Sequence, residues 1–235
     1  MCGRYFLQRE PAELARHFAV AGPLPNYAPS WNIAPTQAAP VLRRHPQTGA
    51  RHLDLLSWGL VPHWAKDASG AARLINARAE SLAAKPSFRD AFARRRCLVP
   101  MDGFYEWQRR PGGGKQPFAV ALCSGEPMAV AGLWEGWRQP DGAWLRSFAI
   151  VTTASEGRQA RIHERMPAIL PRQDWAVWLG EAPGDPASVL RPYPSERLAI
   201  WPIHPRVGRV EENDPALLQR ADAQVPPELD DAPVY

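Results

Sequence analysis

Cysteine is scarce in this chain: of 235 residues only Cys2, Cys97 and Cys123 are cysteines, with no CxxC spacing among them. An odd count at such separations argues against a disulfide framework and against a cysteine-built zinc site. The six histidines show no HxH or HExxH spacing, so a metal centre would need ligands from distant loops, and no metal or other cofactor is expected. No apolar run approaches the roughly 18 residues of a membrane span. The first 30 residues also lack the apolar segment of a signal peptide. A cytoplasmic protein with no membrane partner is expected.

Lysine is nearly absent too, supplying 3 of the 28 basic residues, so the positive charge is almost all arginine. Guanidinium matches phosphate oxygens with a planar fork and sheds water more readily than ammonium. The formal charge of +4 conceals a division. Residues 211–235 hold seven acids against Arg220 alone, a balance of −6, which leaves residues 1–210 at +10. An arginine-dominated basic body suits a nucleic-acid binder, although an Ala-, Arg- and Pro-rich composition equally fits GC-rich coding.

Proline at the first turn and the spacing of Leu14 and Phe18 predict a helix over 11–18. NYAPSWNIAPT (26–36) reads as irregular, because residues before proline avoid the helical region. Strand-like runs at 39–44 and 53–60 flank a QTG turn, a hairpin signal. A second helix is expected over 87–95 with Ser87 as its N-cap. Five strand-like runs follow between 96 and 153, separated by PGGGK, CSGEP and RQPDGA. A short helix at 156–162, a strand at 166–170, a helix after Pro171 and a strand from 198 complete the reading. Without regular β/α alternation this predicts an α+β fold: a curled, largely antiparallel, barrel-like sheet flanked by helices. The domain is expected over 1–213, followed by a C-terminal helix and acidic tail over 214–235.

Polar residues interrupt four otherwise apolar islands: MCGRY, LINARAES, PMDGFYEW and HERMPAIL. Cys2 is small enough for removal of Met1 to be expected, and would then carry a thiol beside a free α-amine. An α-amine titrates near about 8 and a lysine amine near about 10.4, so the α-amine is on the order of a hundredfold more available as free base. With an aldehyde, that pair forms an imine and then a five-membered thiazolidine, aided by proximity. From the dipeptide alone, a buried strand start is the ordinary reading of Cys2. Glu106 lies among aromatic and apolar neighbours, where burial would raise its pKa into a useful acid–base range; a strand glutamate facing solvent fits the same pattern.

In sequence order MCGRY, WNIAPTQ, WGLVPHWAKD, LINARAES, PMDGFYEW and HERMPAIL resemble the SRAP family, the SOS-response-associated peptidases, from Met1 to about Asn213. The resemblance implies a protein that removes its own Met1, binds single-stranded DNA containing abasic sites and traps the open-chain sugar as a thiazolidine on Cys2. It thus implies an autoproteolytic peptidase with a lyase-like crosslinking activity in the DNA-damage response, acting as a monomer and joining the nucleoid when bound to DNA. Carried onto this chain, Asn76 would position the terminal amine, Glu106 would relay protons, and His163 would help open the sugar ring. Arg4 and Arg78 would hold phosphates, Arg4 sharing the side of Cys2 by strand alternation. Arg165 would reach a phosphate or brace the site, and Trp64 with Pro62 would form an apolar wedge against flanking bases. Asn32 and His204 match family positions without a physical role readable from sequence. The alternatives are an N-terminal-nucleophile cysteine peptidase acting on other proteins and a non-catalytic DNA-binding module.

Overall fold

In the computed structural model, which describes residues 2–110 and 112–234, the chain builds twelve strands and four short α-helices. The first half runs β1 (Tyr5–Leu7), α1 (Pro11–Phe18), β2 (Ser30–Ile33), β3 (Ala38–Arg44), β4 (Arg51–Trp58), β5 (Asn76–Arg78) and α2 (Pro86–Arg94). Then come β6 (Arg96–Met101), β7 (Gly103–Arg109), β8 (Lys115–Leu122), β9 (Met128–Arg138) and β10 (Trp144–Ala154). Last are α3 (Gly157–Ala160), β11 (Arg165–Pro167), α4 (Trp175–Leu179) and β12 (Leu198–Pro202).

β10 organises the molecule. Its first part pairs antiparallel with β9 and parallel with β4. Since β4 pairs with β3, β3 with β6 and β6 with β9, the five strands close into a mixed barrel. Beyond the barrel, β10 takes β5 as a parallel neighbour at Ile150–Thr152 and β11 as an antiparallel one at Thr152–Ala154. A second, antiparallel sheet has the order β12-β8-β7-β1-β2. The expected curled, largely antiparallel sheet with flanking helices is the observed architecture.

Local chemistry explains most of the elements. In α1, Pro11 opens the helix, Glu10 and Glu13 satisfy each other's backbone in a capping box, and Leu14 and Phe18 face the core. The apolar runs of β6, β8 and β9 contribute Leu98, Val120, Val130 and Leu133 to the main buried core. Trp175 and Trp178 are core residues. A second cluster around Phe6, Tyr105 and Trp201 lies on the other face of the antiparallel sheet.

Three expectations are corrected. The 26–36 segment contains β2, because Pro29 and Pro35 flank the strand and leave its own amides intact. The second helix begins one residue earlier, at Pro86, and Ser87 does not cap it; proline's missing N–H is tolerated at that first position. In place of a C-terminal α-helix, the described residues after 213 form two 3₁₀ turns, Pro215–Leu218 and Pro227–Leu229, whose Leu217 and Leu229 are fully buried. Prolines at both turns block extended i→i+4 bonding.

Gly103 sits where β7 meets β1. A side-chain carbon there would clash with the Phe6 ring and the Val120 carbonyl. Gly103→Ala is therefore expected to cost about 1–3 kcal/mol as an overpacking change. A thermal melt should show Tm lower by about 2–10 °C; an unchanged Tm would contradict the close approach of β1 to β7.

Candidate active site

β1 and β7 run antiparallel with Tyr5 opposite Phe104, and the Tyr105 amide donates to the Arg4 carbonyl at 3.0 Å. Continuing that register sets Glu106 alongside residues 2–4. Asn76, at the start of β5, donates from Nδ2 to the Cys2 carbonyl at 2.7 Å. The position of β5 is itself fixed by pairing with the far end of β10, whose other edge carries β11 and, just before it, His163. Three segments from distant parts of the sequence are thus brought together here, Asn76 and Glu106 at residue 2 and His163 at Glu106.

Cys2 is fully buried, and its Sγ lies 3.8 Å from the Arg4 carbonyl. Burial pushes its thiol far above the ordinary range, and the nearby Glu106 carboxylate adds to that rise. Glu106 is only 2% exposed, and burial raises its carboxyl, with His163 acting in the opposite direction. The two groups therefore favour protonated forms because charge is costly there. His163 Nδ1 lies within hydrogen-bond distance of both the Arg165 amide, at 3.0 Å, and the Arg165 carbonyl, at 3.2 Å. Asn76 Oδ1 is buried without a hydrogen-bond partner among the described residues.

Two cavities flank these groups. One, of about 570 Å3, is lined by Glu106, His163, Arg109, Lys115 and Arg161. The other, of about 660 Å3, is lined by Asn76, Arg73, Arg78, Lys85 and Arg165. Arg78 is exposed at this second cavity. Arg165 is already engaged: it forms a bidentate pair with Glu80 at 2.7 and 3.0 Å and donates to the Thr152 carbonyl. Those bonds hold the Glu80 carboxyl below its usual range.

Arg4 departs from the alternation argument. β1 begins only at Tyr5, so residues 2–4 are not bound by strand periodicity. Cys2 joins the main core, whereas Arg4 donates to Asn32 Oδ1 and to the Val207 and Gly208 carbonyls at 2.9–3.1 Å. Trp64 is 56% exposed. Pro62, expected beside it on the surface, is buried within the turn that presents it, so the exposed apolar face there is the tryptophan's.

Asn32, which had no role readable from the sequence, acquires one in the fold. Its Nδ2 donates to the carbonyls of Val207, Arg209 and Glu212, and Asn213 Oδ1 accepts from the Trp31 amide. Together with Arg4 they fasten the 207–213 segment to β2. The usable signal was a buried amide inside the apolar run WNIA. His204 is structural: its Nδ1 accepts the Arg206 amide and caps a 3₁₀ turn. Glu80, which holds Arg165, was also missed. Met1, on which the expected self-cleavage falls, lies outside the described residues. Among the described residues no three or more His, Cys, Asp or Glu are grouped to hold a metal, and no helix is long and apolar enough to cross a membrane.

The raised Glu106 carboxyl has a sign that can be checked. Between the ordinary carboxyl range and its higher native value the folded state holds the extra proton, so this group's contribution to stability falls as pH rises through that window. Glu106→Gln removes the penalty. The variant should match the parent in thermal melts near pH 4 and become more stable than it as pH rises to 7. Equal destabilisation at both pH values would contradict a desolvated carboxyl.

Known proteins resemble this chain in sequence and in fold. A family model described as SOS response associated peptidase (SRAP) matches residues 1–210. The Bacillus subtilis abasic site processing protein YoqW is 37% identical over 224 residues, covering 93% of this chain and 99% of that protein. The Gallus gallus abasic site processing protein HMCES is 33% identical over 236 residues, covering 86% of this chain and 69% of that protein. A crystal structure from Bacteroides thetaiotaomicron superposes with a TM-score of 0.85 at 24% identity, covering 94% of this chain and 100% of that one, a likeness of fold. A Bordetella bronchiseptica structure does so with a TM-score of 0.73 at 26% identity, covering 86% and 100%. A family match over nearly the whole chain, together with relatives above 30% identity, establishes that this chain belongs to the SRAP family.

Proposed function

We propose that this chain processes abasic sites in single-stranded DNA by forming a covalent adduct at Cys2 after loss of Met1. The observation that carries the reading is residue 2 itself, tied through its carbonyl to Asn76 and set beside a buried Glu106 between two arginine- and lysine-lined cavities. The names of the relatives, abasic site processing proteins, support the same substrate.

Hydrolysis of the Met1–Cys2 bond consumes one water and frees the α-amine. The unpartnered Asn76 Oδ1 is available to accept from an amine at this position, while Nδ2 keeps the carbonyl fixed. The amine attacks C1′ of the open-chain sugar, and Glu106 in its protonated form supplies the proton with which the hydroxyl leaves as water. The Cys2 sulfur then bonds to the iminium carbon, whose nitrogen takes the π electrons and keeps its hydrogen, and the thiol proton passes to the Glu106 carboxylate, restoring the acid. The balance is one aldehyde and one aminothiol giving one thiazolidine and one water. His163 lines the same cavity and assists ring opening of the sugar.

Arg78 holds a phosphate in the Asn76 cavity. Arg165, braced by Glu80, and Arg4, braced by the 207–208 carbonyls, add fixed positive charge. Trp64 stacks on an unpaired flanking base, a contact worth about 1–3 kcal/mol and indifferent to sequence. A peptidase acting on other proteins would need an activated thiolate. Burial moves the Cys2 thiol the opposite way, which argues against that alternative.

Incubation with an oligonucleotide bearing one abasic site, followed by denaturing electrophoresis, tests the reading. The parent should give a shifted band that survives without reductant, and Cys2→Ser should lose it, since oxygen closes the ring less durably. An undiminished band from Cys2→Ser would end the proposal. Affinity for single strands should also fall with salt at a log–log slope near about −2 if three phosphates are held; a flat response would oppose that grip.

A further inference from the structure

The acidic segment after residue 210 has no part in the chemistry above, yet it is not loose. Leu229 is fully buried. The Asp231 amide donates to the Ile200 carbonyl at 2.8 Å, and Asp231 Oδ2 accepts from the Ile200 amide at 2.9 Å. Asp231 also pairs with Arg158 at 2.8 Å. This docking delivers Glu228 to Arg161, with which it forms an ion pair. Arg161 lines the same cavity as Glu106 and His163, together with Arg109 and Lys115.

We propose that Arg161, Arg109 and Lys115 form a phosphate subsite on the His163 side of the lesion, and that Glu228 is its built-in counter-ion, displaced by a DNA backbone phosphate. The inference rests on the abasic-site reading for the identity of the ligand. Its own argument is geometric. Three cations line one cavity that opens on the reacting groups, while a strand entering on the Arg78 side must leave on the other. The Arg161 side chain is 60% exposed and Glu228 35% exposed. An ion pair so exposed is weakly held, whereas a phosphodiester offers Arg161 a bidentate acceptor. The anchored Leu229 and Asp231 keep Glu228 close, so the carboxylate competes at high local concentration without being lost when DNA binds. Fixing an acid there disfavours random polyanions that cannot also engage the opposite cavity.

The test uses the full chain and an oligonucleotide with no abasic site, so that binding is read apart from adduct formation. Fluorescence anisotropy is followed over a salt series for the parent, Glu228→Gln, Arg161→Ala and the double variant. Glu228→Gln should bind about two- to fivefold more tightly. Arg161→Ala should weaken binding and make the salt slope shallower by about 0.7, one phosphate contact on a single strand. In the double variant the gain from Glu228→Gln should vanish, because the glutamate acts only through Arg161. An unchanged affinity and slope in Arg161→Ala, or an equal gain from Glu228→Gln with and without Arg161, would overturn the subsite. If the parent forms no adduct with abasic DNA yet these binding changes appear, the chemical reading fails and the subsite stands.

Discussion

The hydrogen bond from Asn76 Nδ2 to the Cys2 carbonyl joins the beginning of the chain to a strand that exists only because β10 outruns its barrel. β5 has three residues and could not persist alone; its pairing with Ile150–Thr152 gives it a fixed position. The same overhang of β10 carries β11 on its other edge and so places the His163 segment. The antiparallel pairing of β1 with β7 brings in Glu106. Residue 2 is therefore held from three sides by backbone geometry, and the chemistry asked of it needs that precision more than it needs any unusual side chain.

Burial is the electrostatic counterpart of that anchoring. A thiol and a carboxyl driven toward their protonated forms are poor reagents for attacking acyl groups and good ones for passing protons around a neutral addition. The arginines divide along the same line. Arg4, Arg96 and Arg158 spend their donors on backbone carbonyls and act as staples between segments. Arg78 and Arg161 stand at cavities beside the site, one exposed and one paired with a surface glutamate. A net positive body thus serves two purposes, and the count of arginines does not separate them. Geometry does.

Much of the fold was legible because its signals are local. Proline at the first position and the Leu14–Phe18 spacing wrote α1, and glycine-rich separators marked the hairpins of the central strands. β2 was hidden because its flanking prolines read as turn chemistry, and the parallel β4–β10 contact that closes the barrel was hidden because it joins residues ninety positions apart. At the site, the polar residues inside apolar islands marked the segments that hold Cys2 and Glu106, whereas the roles given to Asn76 and His163 came from the family resemblance. Asn32 and Glu80 escaped because their roles lie in what they hold: a loop from residues 207–212 and the Arg165 guanidinium. Arg4 was misassigned to the side of Cys2 because periodicity was applied to residues that precede the strand.

The central claim is that a 1,2-aminothiol at residue 2 closes a ring on the sugar aldehyde. Proteolysis of the DNA-linked protein and mass measurement of the modified peptide test it most directly. The account predicts a peptide beginning at Cys2, lacking Met1, bearing the sugar with the loss of one water and offering neither a free thiol nor a free α-amine. A modified peptide that retains Met1, or a sugar carried on Lys85 or Lys115 instead, would contradict it.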